Sequence, residues 1–300
     1  MREKVLPLLE LVNFDPGREV DRIAEFIEKE NKQQGYFGGI VGLSGGIDSS
    51  VCAALMTWAL GTDKVIGISM TERDSRPEDY EDAKLLANYL NIEFINHPIT
   101  KHLESLGFYD FTRGINFKNL HKEMIEQDET YVETPVVEYY ACLKLRTRAW
   151  ILAHYAKLNH YFQCQTLNRS EHLLGYHDLF GDGIGDIALI QHLYKSEVYE
   201  LGRYLKLPEK ILRRPSMSGN YNQDTDLLFS NNEFLRMSML DADAILYFLE
   251  RMDNTAAISR ITGFTEEKVC HIKGIVDWAK GRWAIPATLG RETYNIGEKK

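Results

Sequence analysis

Residues Gly42-Leu43-Ser44-Gly45-Gly46-Ile47-Asp48-Ser49-Ser50 lie between an apolar run, Tyr36 to Val41, and a segment whose apolar residues recur at helical spacing. A buried strand that feeds a helix through two adjacent glycines has few ways to fold. The backbone turns tightly there, and consecutive N–H groups converge on one point near the helix N-terminus. That concavity suits a phosphate. Ser44 and Ser49 add hydroxyl donors, and Asp48 adds a carboxylate able to hold Mg²⁺ against phosphate oxygens. The loop is not of the Gly-x-x-x-x-Gly-Lys-Ser/Thr type, since no lysine follows it, and Gly-x-Gly-x-x-Gly is also missing.

The elements around the loop alternate. A charged helix spans 18–34 and ends at Gly35, and the loop's own helix (Val51, Ala54, Leu55, Trp58) ends at Gly61. Lys64 to Met70 reads as a second strand, Pro77 opens a helix with Ala83, Leu86, Ala87 and Leu90 on one face, and Ile92 to Ile95 is a third strand. A polar, aromatic excursion with short helices fills 100–135. A long helix with Leu145, Ala149, Leu152 and Ala156 follows, then a fourth strand at Tyr161 to Thr166. A glycine–aspartate loop (178–192), a helix with Val198 and Leu201, a turn-rich segment (214–232) and helices near 240–252 and 265–281 complete the chain. Alternation of this kind predicts an α/β fold, with a parallel sheet flanked by helices and ligands at the carboxyl ends of its strands.

The net charge of −9 over 300 residues argues against general nucleic-acid binding. Cys52, Cys142, Cys164 and Cys270 are dispersed, with no Cys-x-x-Cys, and read as reduced packing residues. There is no signal-like apolar core after Met1 and no apolar run long enough to span a membrane. A soluble, cytoplasmic protein is expected.

Strand, Ser-Gly-Gly-x-Asp-Ser, then helix resembles the pyrophosphate loop of the ATP-pyrophosphatases. Three further clusters sharpen the likeness: Lys144-Leu145-Arg146-Thr147-Arg148; Thr166-Leu167-Asn168-Arg169-Ser170-Glu171; and Gly181-Asp182-Gly183 with Asp186 and Leu193-Tyr194-Lys195. Pro215-Ser216 and Gln223-Asp224-Thr225-Asp226 add a weaker match. Together these resemble the ammonia-dependent NAD synthetases over about residues 18–286, with motifs at 42–50, 144–148, 166–195 and 215–226. The resemblance implies a Rossmann-like fold of the adenine-nucleotide alpha-hydrolase type. It treats 1–300 as a single domain, with a nucleotide-binding core (18–206) and a mobile loop with C-terminal helices (207–300).

The same resemblance implies roles. ATP would contact Gly42, Leu43, Ser44, Gly45, Gly46, Ile47, Asp48, Ser49, Arg146, Thr166 and Lys195, with Mg²⁺ on Asp48 and Glu171. Asp182, Lys195 and Arg148 would be catalytic, and Asp182, Asp186, Ser216 and Ser218 would bind the acceptor. The reaction implied is adenylation of deamido-NAD followed by displacement of AMP by ammonia, carried out by a homodimer. No glutaminase-like segment is evident, so free ammonia is the expected nitrogen donor. Taken alone, the 144–148 cluster reads equally as a solvated basic helix face.

Three positions depart from the family pattern: Gln165 replaces a glycine, Ser218 an aspartate and Cys142 an asparagine. They leave open the same chemistry on another carboxylic acid, or a nucleotide-binding homologue without turnover. A tRNA-modifying relative would want a basic surface and site cysteines, which the sequence lacks.

Overall fold

The structure, a computed structural model, describes residues 7–111, 134–214, 217–218, 223–224, 227–228 and 237–280. The central sheet comprises β1 (Gly39–Gly42), β2 (Val65–Ser69), β3 (Glu93–Asn96), β4 (Phe162–Gln165) and β5 (Ile187–Ala188). The strands lie in the order β3-β2-β1-β4-β5, and every pair is parallel. The expected α/β architecture is therefore present.

Parallel strands are joined by crossovers that cover both faces, so residues pointing either way from a central strand are buried. On one face Val41 meets Ile23 and Ile27 of the Pro16–Gln34 helix, Val51 and Leu55 of Ile47–Leu60, Leu86 of Pro77–Leu90 and Leu201 of Lys195–Tyr204. On the other, Ile40, Ile66 and Ile68 pack with Ile151, Leu152 and Ala156 of the Thr134–Asn159 helix. A third apolar cluster joins Leu173 and Leu174 of the Arg169–Leu174 helix to the C-terminal helices Met239–Leu249, Thr255–Thr262 and Glu266–Lys280.

Several boundaries move. β1 starts at Gly39, not Tyr36, because the N–H groups of Tyr36 and Phe37 bond outside the sheet, to the carbonyls of Asn31 and His160. The 178–192 loop contains β5, two residues too short to show a period. A further short helix, Thr255–Thr262, stands between the two expected longer ones; Asn254 caps it by accepting the Ala257 N–H at 2.9 Å. Short helices at Thr100–Ser105 and Phe108–Phe111 match the excursion as expected, while 112–133 lies outside the described residues. Within the turn-rich segment, Met217–Ser218 pairs antiparallel with Gln223–Asp224, and Leu227–Leu228 with Met237–Ser238.

β1 has β2 on one side and β4 on the other, so the order of connection reverses at β1. A crevice at the carboxyl ends of such strands is where an open α/β sheet takes its ligands. Gly42 ends β1 at that crevice. Among the described residues no helix is long and apolar enough to cross a membrane.

Candidate active site

Gly45 holds φ +77°, a left-handed conformation that side chains resist. A Cβ at this position would sit 2.5 Å from Nη1 of Arg214 and 2.9 Å from the Cβ of Asp82. The loop is also wired internally. Ser44 Oγ accepts the Gly46 N–H at 3.2 Å and lies 3.2 Å from Ser49 Oγ, which accepts the Ser44 N–H at 3.3 Å. Among the described residues no side chain caps the Ile47–Leu60 helix, so its first N–H groups face the loop. Leu43 and Ile47 turn their side chains into the core and leave only backbone to a ligand.

In the first turn of that helix, Asp48 receives two donors from other elements. Lys195 Nζ, at the start of the Lys195–Tyr204 helix, donates to Asp48 Oδ2 at 2.6 Å and stands 3.8 Å from Glu171 Oε1. Asn168 Nδ2 donates to Asp48 Oδ1 at 2.9 Å. Asn168 also caps the Arg169–Leu174 helix, accepting the Glu171 N–H at 2.9 Å while Glu171 Oε2 accepts the Asn168 N–H at 3.3 Å. Burial, with the charge of Asp48 adding and Lys195 opposing, pushes the Glu171 carboxyl up to about 8. Two neighbouring carboxylates with oxygen-only donors suit a hard divalent cation that keeps most of its shell from water and phosphate. Among the described residues there is no cluster of three or more histidines, cysteines and acids able to hold a metal by protein ligands alone.

The Gly181-Asp182-Gly183 turn packs on the long helix; a Cβ at Gly181 would lie 2.6 Å from that of Leu145. Asp182 Oδ1 accepts the Asp178 N–H at 2.7 Å, and burial pushes its carboxyl up to about 6, with Arg148 opposing. Arg148 Nε donates to the Met70 carbonyl at 3.1 Å, just past β2. Arg148 and Asp182 thus share the crevice. Arg146 does not join them: it is half-exposed and grips Asp178, with Nε at 3.1 Å from Oδ1 and Nη2 at 2.9 Å from Oδ2.

A family model described as NAD synthase matches residues 19–281. The chain belongs to the NAD synthase family. Among curated relatives, the NH(3)-dependent NAD(+) synthetase of Methanocaldococcus jannaschii is 30% identical over 269 residues, covering 90% of this chain and 95% of that protein. The Thermotoga neapolitana protein of the same name is 31% identical over 290 residues, covering 90% and 96%. In fold, the chain resembles a solved NMN synthetase from Francisella tularensis (TM-score 0.70, 22% identity, 93% of this chain and 100% of that one). It also resembles a solved NH3-dependent NAD synthetase from Campylobacter jejuni (TM-score 0.65, 24% identity, 93% and 100%).

One expected acceptor residue lies elsewhere. Asp186 sits at the entry to β5, where its Oδ2 accepts the Gln163 N–H at 2.9 Å and Tyr36, which precedes β1, is its neighbour. That is the amino-terminal edge of the sheet, away from the phosphate loop, so its carboxylate serves strand pairing. Thr166 follows β4 directly, at the right end of the sheet. Ser216 and the side chain of Ser218 lie outside the described residues.

Other residues line or support the crevice that the sequence does not mark as site residues. Asn168 is one. Asp243 is another: wholly buried, it accepts a short hydrogen bond from the Ser170 hydroxyl and the Ser196 N–H at 2.7 Å. Glu72 holds the buried Lys144 at 2.7 Å and accepts from the Tyr109 hydroxyl at 2.8 Å. Arg214 donates to the Gly45 carbonyl at 3.2 Å and to Asp82 at 2.7 Å, and also pairs with Asp79. Only a helix-start pattern, Asn168 followed three residues later by Glu171, could have flagged any of these.

Proposed function

We propose that this protein uses ATP to adenylate the carboxylate of deamido-NAD, and that ammonia then displaces AMP to give NAD. The observation that carries this reading is the meeting of Asp48, Glu171 and Lys195 beside the phosphate loop of a NAD synthase-family chain. Gly42 to Ser49 hold the triphosphate through backbone N–H groups and the two serine hydroxyls, with Thr166 beside the nucleotide. Lys195 and Arg148 offset charge as the acceptor carboxylate attacks the α-phosphorus and pyrophosphate leaves. Arg146 assists only after releasing Asp178. Mg²⁺, when held by Asp48 and Glu171, neutralises charge on the phosphates.

Asp182, with its carboxyl near 6, is largely ionised above neutral pH. It can attract ammonium and take one proton from it, leaving ammonia to attack the acyl carbon. The new C–N bond forms as the C–O bond to AMP breaks, AMP leaves with that bond's electron pair, and the nitrogen loses its extra proton to solvent. Ser216 and Ser218 belong to the acceptor side of this scheme.

A second reading keeps the chemistry and changes the acid. It is favoured by Gln165, whose side chain stands where the family pattern has glycine and donates to the Gly183 carbonyl at 2.6 Å, beside Asp182. One assay separates the two. The protein is incubated with MgATP, ammonium and either deamido-NAD or its mononucleotide counterpart, and AMP, pyrophosphate and amidated product are quantified. NAD formed one-for-one with AMP supports the first reading, and AMP with the mononucleotide alone supports the second. No AMP with either acid rejects the adenylation reading.

The chain works as one unit, since its C-terminal helices reach the core through Asp243. A homodimer is proposed as well. Trp150 and Leu158, 77% and 64% exposed, project from one side of the long helix and would find cover in a partner subunit. Light scattering that returns a monomer mass at micromolar concentration rejects it. The four free cysteines suit a reducing compartment, the cytoplasm.

A further inference from the structure

We propose that Asp243 is a positioning residue for the adenylation step, acting from the C-terminal helices on Lys195 and on the start of the Glu171 helix. The proposal rests on the functional reading above. Asp243 lies in the Met239–Leu249 helix, among residues that form an apolar cluster with Leu173 and Leu174. One of its oxygens accepts from the Ser170 hydroxyl, and the other accepts the Ser196 N–H at 2.7 Å. Ser170 Oγ in turn accepts the Lys195 N–H at 2.9 Å. Ser170 directly precedes Glu171, and Ser196 directly follows Lys195.

One carboxylate therefore holds the side chain next to Glu171 and the backbone N–H next to Lys195, the two groups that converge on Asp48. An apolar side chain would fill this place without the cost of burying a carboxylate. What it would not supply is a pair of acceptors at fixed separation, satisfying a hydroxyl and a helix-start N–H together. The Lys195–Tyr204 helix begins at Lys195 itself; Glu197 in its first turn accepts the Tyr194 N–H at 2.8 Å, whereas the N–H groups of Lys195 and Ser196 go to Ser170 and Asp243. Glu197 caps the helix locally, and the N–H groups of Lys195 and of the residue after it are held from other elements.

The test uses D243N, which keeps shape and one acceptor but cannot accept from both donors. The expected result is a fall in kcat for AMP formation of about tenfold or more, with KM for ATP changed less than about threefold. In a K195A background, D243N is expected to lower kcat by less than about twofold further, because the lysine it positions is gone. Equal losses in both backgrounds, or an unchanged kcat in folded D243N, would overturn the proposal. S170A, which removes only the hydroxyl linking Asp243 to the Lys195 N–H, carries the same test should D243N fail to fold.

Hydrogen exchange at the amides of Lys195 and Ser196 gives a readout that needs no turnover. Exchange is expected to quicken about tenfold or more in D243N relative to the natural chain, while amides in the middle of the Ile47–Leu60 helix stay unchanged. Unchanged exchange at Lys195 and Ser196 also overturns the proposal. A natural chain that forms no AMP rejects the functional reading instead, and the exchange contrast still decides whether Asp243 holds the helix start.

Discussion

Lys195 stands between Asp48 and Glu171, its Nζ 2.6 Å from one carboxylate and 3.8 Å from the other, on a side chain only 2% exposed. A buried ammonium with two acidic neighbours is held in place before any nucleotide arrives, ready to meet charge that develops as pyrophosphate departs. Replacing it with methionine keeps the stem and removes the charge. K195M is expected to lower kcat for AMP formation by about 10²-fold or more while circular dichroism stays native. A loss smaller than about fivefold would show that the ammonium is structural only.

The two carboxylates carry a separate prediction. D48N and E171Q should each cut turnover by about 10²-fold, and raising Mg²⁺ well above the ATP concentration should not restore it. Near-normal turnover of either variant at saturating Mg²⁺ would remove that residue from the metal assignment.

At the loop, G45A forces a side chain into a left-handed backbone and against the Arg214 guanidinium. The backbone term alone is about 1–2 kcal/mol, and the clash adds to it. A higher KM for ATP, or weaker binding in calorimetry, is expected with the rest of the fold retained. Unaltered ATP affinity would mean that the loop does not hold the phosphates.

The buried pair of Lys144 and Glu72, 1% and 0% exposed at 2.7 Å, gives a stability test that needs no turnover. Removing one partner strands the other, so K144M should lower the unfolding free energy by about 3–5 kcal/mol in urea titration. The double change K144M/E72L should recover most of that loss. If the double variant is no more stable than K144M, the pair is not the source of the effect.

Stability should also depend on pH in a defined sense. Burial pushes Glu171 up to about 8, and Asp243 and Glu197 each up to about 7. Between the unfolded carboxyl value and these, the folded chain holds protons that the unfolded chain has released, so stability falls as pH rises. His172, pushed down to about 4 by burial, acts oppositely: its contribution grows with pH and is complete above about 6.5. In EDTA and without nucleotide, the urea midpoint should therefore decline from about pH 6.5 to about 8.5, and E171Q should flatten that decline. A midpoint that climbs over this range would contradict it.

The phosphate loop was legible because the Ser44–Ser49 region must satisfy its own turn, and its glycines and hydroxyls stand together in sequence. The sheet followed from apolar runs such as Val65–Ser69, buried on both faces. β5 was not legible, since its two residues are a strand only through pairing with Cys164 and Gln165. Asp243 was hidden for another reason. A carboxylate on an otherwise apolar helix reads as its solvated side, and only the fold brings Ser170 and Ser196 to it. Asp186 misled in the opposite way: its motif neighbours are near the crevice, but β5 carries it to the far edge. Arg146 and Arg148 lie two residues apart on one helix and so face different sides, a difference their shared motif conceals.

The contact of the Met239–Leu249 helix with Ser170 and Ser196 has a consequence for how the protein is made. A chain emerging from the ribosome completes its sheet strands, its phosphate loop and Lys195 well before Asp243 exists. If that carboxylate sets the lysine, the catalytic ammonium is the last part of the phosphate site to be fixed, although its own residue is made much earlier.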